Sequence, residues 1–173
     1  MLAHHGLELG AGVGLVFQPE LGLPGALGLW TAVVAGDLGL LAPRRSPLGR
    51  ARALAAGVSL AGVLVHYLLW PWELRRGLPR LTAAEGLRGR QLAVYDAILL
   101  GWAASAAGSL LVDVPGSRRR WALVGAAVAL APLVASARHH FTWVTAEAAE
   151  HPAWWNRALR GRSPAGPGHR SER

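Results

Sequence analysis

The sequence has no cysteine and no lysine, and only one asparagine and one methionine. Without cysteine there are no disulfides and no thiolate metal sites, and cysteine usage says nothing about the compartment. Acidic residues are scarce too, ten against 18 basic residues that are all arginine, for a net charge of +8. A GC-rich coding bias explains the exclusive use of arginine better than a chemical demand does. Only 16% of the chain is charged, 52% is hydrophobic, and the mean hydropathy is +0.28. That is too apolar for an ordinary soluble domain of this length, and no folded polar surface is left to bind nucleic acid. A secretory leader is not expected either. No basic stretch precedes the first apolar run, and no small-residue cleavage site follows it.

What the sequence does have is apolar length. Residues 23–42, 53–70, 91–112 and 121–137 each meet or approach the roughly 20 residues that cross a bilayer core. Residues 2–17 form a shorter fifth candidate carrying His4, His5 and Glu8. The expectation is an all-α, polytopic membrane helical bundle of about five transmembrane helices. Residues 1–162 would form one membrane-embedded domain, and 163–173 a disordered tail rich in Arg, Pro and Gly. The bilayer is then the first partner. Arginine is more abundant in the loops on the C-terminal side, which points to a cytoplasmic C-terminus in a bacterial cell membrane.

Ionisable groups inside membrane helices are costly and mark candidate sites. Asp37 lies late in the second run, flanked by Gly36 and Gly39. His66 and Tyr67 lie late in the third, and Asp96 near the start of the fourth. His66, Trp70 and Glu73 have i, i+4, i+7 spacing, which would align them on one helix face kinked by Pro71. Each also has a plain structural reading. Asp37 and Asp96 would be interfacial or capping, His66 and Tyr67 a packing pair, and Glu73 a partner of Arg76 or Arg80. The chain carries eight tryptophans. Trp30, Trp70, Trp72, Trp121 and Trp143 fall near helix ends, where aromatic belts form. Trp102 is mid-helix and suited to lining a pocket. His139, His140, Glu147 and His151 could in principle hold a metal. Seven scattered histidines are too few for the eight-histidine di-iron clusters of membrane desaturases, and no metal is expected.

The stretch His66-Tyr67, Trp70-Pro71-Trp72, Arg76-Gly77-Leu78-Pro79 resembles the steroid 5α-reductase and polyprenol reductase family of membrane enzymes. Trp30 to Leu38 is similar to the acid-bearing helix that precedes it in that family. His139-His140, Trp143, His151-Pro152 and Arg157-Ala158-Leu159 are similar to the family's end. The resemblance implies an NADPH-dependent enone or double-bond reductase acting on an isoprenoid or steroid-like lipid. Asp37 and Tyr67 would hydrogen-bond the substrate carbonyl. The family's Asn-Tyr-x-Gly-Glu run, which helps to hold NADPH, is absent, so no residues are assigned to the cofactor.

That absence fits an alternative, a cofactor-free terpene cyclase or isomerase started by an intramembrane carboxyl group. Asp37, Glu73, Asp96 or Glu8 would donate the proton, and Trp30, Trp70, Trp102 and Tyr67 would stabilise the cation. Trp72-Glu73 is similar to a Trp-Glu pair of fungal membrane-embedded meroterpenoid cyclases. His66, Trp30, Trp70 and Trp102 are the expected substrate-binding residues under either chemistry. A non-enzymatic membrane subunit or a small transporter is the third reading.

Overall fold

The computed structural model describes residues 1–39 and 49–161, with side chains through Gly36 in the first stretch. The structure is 76% helical. Helix α1 (Leu2–Ala11) is followed by α2 (Gln18–Gly39) and α3 (Gly49–Leu69). A hairpin of β1 (Trp72–Arg75) and β2 (Leu78–Leu81) leads to α4 (Arg90–Val112) and α5 (Arg120–Glu150). A final 3₁₀ turn covers Trp154–Leu159. The expected tail at 163–173 lies outside the described residues.

Three helical segments are long and apolar enough to cross a membrane: Gly49–Leu69, Arg90–Val112 and Gly116–Glu150. The expected count of about five is not met among the described residues. Helix α1 has ten residues, or about 15 Å, half the thickness of a bilayer core. It stops at Gly12, whose φ of 85° provides a left-handed cap with its N–H on the Glu8 and Leu9 carbonyls. Helix α2 bends at Gly22 (φ 67°, ψ 170°). Pro24 then sits in the first turn of the second segment, where its missing N–H is harmless.

The all-α expectation needs one correction. Helix α3 ends at Leu69 because Pro71 disfavours helical backbone at Trp70 and has no N–H to continue the ladder. The chain turns instead into the hairpin, with Trp72 opposite Leu81 and Glu73 opposite Arg80. Arg76 and Gly77, at φ 52° and 77°, form its two-residue turn. Positive φ at both central positions matches the strand twist. Glu73 is therefore on a strand and does not share a helix face with His66 and Trp70. Its carboxylate pairs with Arg75 at 2.6 Å, not with Arg76 or Arg80.

Helices α3 and α5 form the centre. A Cβ on Gly57 would overlap the Ala122 carbonyl, and one on Gly125 would overlap the Leu54 carbonyl. The two backbones thus touch where both helices have glycine, a small-residue contact of the kind that lets helices approach closely. Most of α3 is buried, whereas α4 and α5 turn many apolar side chains outward, including Leu111, Val112, Leu123 and Val128. Arg119 closes the α4–α5 turn by donating to the Leu111 carbonyl in the last turn of α4 (2.6 Å) and to the Val114 carbonyl just past it (3.3 Å).

The 3₁₀ turn holds α1 in place. The Ala158 N–H donates to the Gly12 carbonyl at 3.0 Å, and the Arg157 guanidinium donates to the Gly10 carbonyl. Asn156 is fully buried; its Oδ1 accepts from the Ala153 N–H at 2.8 Å and its Nδ2 donates to the His151 carbonyl at 3.1 Å. Asn156→Ala strands both backbone groups and should cost about 1–3 kcal/mol. Thermal unfolding in detergent reads this as a lowered midpoint. An unchanged midpoint would mean the clasp does not hold the fold.

Candidate functional site

A set of buried polar side chains from four segments lies within the helical core. Helix α1 contributes His4, His5 and Glu8, helix α3 His66, helix α4 Tyr95, and the loop before α4 Glu85. The i, i+3 and i+4 spacings put His5 and His4 beside Glu8. Glu8 Oε1 accepts from His4 Nε2 at 3.1 Å, and Oε2 from His5 Nδ1 at 2.9 Å. Glu85 reaches inward from a tight turn in which Glu85 and Gly86 both have positive φ, 48° and 84°. The Leu87 N–H closes that turn on the Ala84 carbonyl at 2.6 Å. Left-handed backbone at a glutamate costs about 1–2 kcal/mol, and here it aims the carboxyl group into the core.

The Tyr95 hydroxyl joins the two acids, 3.0 Å from Glu8 Oε1 and 2.8 Å from Glu85 Oε1. A hydroxyl has one proton to donate. With both contacts made, one of the acids must itself carry a proton. His4 and His5 donate to Glu8, so the proton belongs on Glu85, whose O–H donates to Tyr95, which donates to Glu8. The electrostatics agree. Burial, then the nearby Glu8 charge, raise the Glu85 carboxyl well above the usual carboxylate range. Burial opposes ionisation of Glu8 as well, but His4 and His5 outweigh it and hold Glu8 well below that range. Two acids driven in opposite directions form an acid–base arrangement.

His66 completes the set. Its Nδ1 lies 2.8 Å from the Gly62 carbonyl, which can only accept, so Nδ1 carries the hydrogen. In the neutral ring Nε2 is then a bare lone pair, and it stands 3.9 Å from Glu85 Oε1. His4, Glu8 and His66 also present one ligand atom each within 4.8 Å of one another. They could close on a divalent transition ion after inward side-chain shifts, with the His66–Gly62 bond as outer support.

The acid and the imidazole open onto a cavity of about 40 Å³. This volume holds one or two waters, and its walls are apolar. Its lining includes Trp30, Trp70, Trp102, Leu133 and Phe141 together with His4, His66 and Glu85. The rings are packed against one another. His5 lies 4.0 Å from Trp30, and Trp70 meets Phe141 edge-on at 4.9 Å. Trp30 is anchored by its indole N–H on the Val16 carbonyl at 3.1 Å.

No family model, curated protein or solved structure matches the chain.

The four residues expected to bind substrate, His66, Trp30, Trp70 and Trp102, all line this one cavity. The expected catalytic residues do not gather there. Tyr67, next to His66 in sequence, points away; its ring meets Trp72 at 6.1 Å and its buried hydroxyl has no partner among the described residues. Asp96 is buried, and its Oδ1 accepts from the Leu81 N–H at 3.1 Å, tying β2 to α4. Glu73 is on the exposed hairpin. Asp37 lies in the last turn of α2, and its side chain lies outside the described residues. Sequence reasoning missed Glu85 and Tyr95. Glu85 is the one acid between Arg80 and Arg88, and its Glu-Gly dipeptide marks a turn. Those signals suggest a surface loop and give no hint of burial.

Proposed function

We propose that the chain is an integral membrane enzyme that isomerises a carbon–carbon double bond in an apolar, isoprenoid-like lipid without a cofactor. The observation that supports this reading is the pairing of a neutral carboxylic acid, Glu85, with a bare imidazole nitrogen, His66 Nε2, 3.9 Å apart on an aromatic-walled cavity, which at about 40 Å³ has to widen between its aromatic side chains to admit an alkene. The outward apolar faces of α4 and α5 favour bilayer insertion, since in water they would be a large exposed apolar surface.

The reaction balances on these residues alone. Glu85 gives its proton to one alkene carbon, and the π pair forms the new C–H bond. The cation left on the neighbouring carbon lies against the faces of Trp30 and Trp102. His66 Nε2 then takes a proton from the next carbon, and that C–H pair becomes the shifted double bond. Return of the proton from His66 to Glu85 restores the starting state. Tyr95 and Glu8 hold Glu85 in place and steady its partners throughout. A cyclase would share the first step. The close base favours isomerisation, because it removes a proton before a second bond can form.

The test is isotopic. Purified protein in nanodiscs, incubated in D₂O with a panel of isoprenoid and steroid-like alkenes, should place deuterium at the alkene carbons and shift the double bond, as read by mass spectrometry and NMR. A complete absence of incorporation across the panel, in folded protein, would remove this reading. Activity abolished by a chelator would instead move the chemistry to a metal held by His4, Glu8 and His66.

A further inference from the structure

Two larger openings neighbour the cavity beside Glu85 and share lining residues in turn. The first, of about 390 Å³, shares Trp70 and Glu85 with the cavity. The second, a cleft of about 800 Å³, shares Thr82, Gly89 and Leu92 with the first. The polarity changes sharply among the three. Aromatic and aliphatic side chains surround the inner cavity, whereas Arg75, Arg76 and Arg80 line the cleft. Arg88 lines the first opening.

The acids in the cleft are already engaged. Glu73 pairs with Arg75 at 2.6 Å. Asp96 Oδ1 accepts from the Leu81 N–H, and its Oδ2 lies 4.0 Å from the Arg80 guanidinium. Arg76, on the hairpin turn, has no ionic partner among the described residues. Three guanidiniums against two engaged carboxylates leave a positive cleft. Guanidinium is the side chain best suited to phosphate oxygens, because it offers paired, planar donors. The hairpin follows α3 directly, with Trp72 and Leu74 exposed beside the arginines, as at a bilayer surface.

We infer that the arginine cleft binds the phosphate or diphosphate head of a lipid whose tail lies in the neighbouring opening of about 390 Å³, with one alkene unit reaching Glu85 only as the 40 Å³ inner cavity widens. The substrate class is then a phosphorylated isoprenoid. This rests on the reading of the inner cavity as the place of reaction and adds the head-group site, which that reading does not require. Anchoring the head at the rim would hold the tail in register with Glu85 and His66, as remote binding groups do for a reacting centre.

The probes are farnesyl diphosphate, farnesol and inorganic pyrophosphate, titrated against the full chain in zwitterionic nanodiscs. Farnesyl diphosphate is expected to bind at least ten-fold more tightly than either fragment. The triple variant Arg75→Gln, Arg76→Asn, Arg80→Gln should lose that advantage while binding farnesol as wild type does. Asparagine is chosen at position 76 because it tolerates the turn's positive φ. Three results would each overturn the inference. The triple variant could bind farnesyl diphosphate unchanged. Pyrophosphate alone could bind as tightly, marking a free-anion site. Phosphatidylglycerol nanodiscs could abolish the difference, assigning the arginines to bilayer headgroups. The chemistry at Glu85 is judged separately. Deuterium transfer to farnesol that survives in the triple variant leaves it standing when the head-group site fails. Tight farnesyl diphosphate binding without deuterium transfer removes the chemistry and keeps the site.

Discussion

Glu85→Gln should lower deuterium transfer by about 10²–10⁴-fold, the range expected for removal of a positioned general acid. The substitution is nearly isosteric. The amide can still hydrogen-bond the Tyr95 hydroxyl, 2.8 Å away in the native protein, so the turn that holds residue 85 has no reason to open. What disappears is the only proton the pair of acids shares. Glu8 cannot replace it, because His4 and His5 hold Glu8 in its ionised form. Glu85→Asp keeps the acid but withdraws it by one methylene, and should fall between the two. Wild-type transfer in Glu85→Gln would show that the proton comes from elsewhere.

Gly57→Leu should destabilise the bundle by about 3 kcal/mol or more, at or past the upper end of ordinary overpacking. The added side chain has no room to rotate away. It meets the Ala122 backbone carbonyl, which belongs to α5 and cannot yield without moving the helix. Separation of α3 from α5 would also pull His66 from its cavity, since both helices line it. Gly101→Leu is the control. A side chain there meets nothing within 4 Å, and stability should be kept. Unfolding in detergent, followed by tryptophan fluorescence, compares the two. Equal midpoints for both variants would mean that the α3–α5 contact is not tight.

The apolar runs announced the long helices well, because burial and membrane spanning both demand apolar length. Helix α4 starts and ends within a residue of its run at 91–112. Helix α5 continues past the apolar run at 121–137 to Glu150, since its polar end still has a face to pack against the 3₁₀ turn. The hairpin was hidden by the helical spacing of His66, Trp70 and Glu73, a periodicity that Pro71 interrupts. Trp30, His66, Trp70 and Trp102 line one cavity, although in the sequence a belt position accounted for Trp30 and Trp70, and a packing pair for His66, just as well. Glu85 was not legible. Its burial depends on Tyr95, and Tyr95 meets Glu8 from 87 positions away, a contact no local pattern announces. The loop's arginines point to water, and the glutamate among them goes the other way.

Infrared spectroscopy of the protein in nanodiscs at neutral pH tests the shared proton most directly. A protonated-carboxyl band that shifts in D₂O and vanishes in Glu85→Gln is the expected result. The absence of such a band, or a band that survives the substitution, would contradict a neutral Glu85 and with it the acid–base reading of the site.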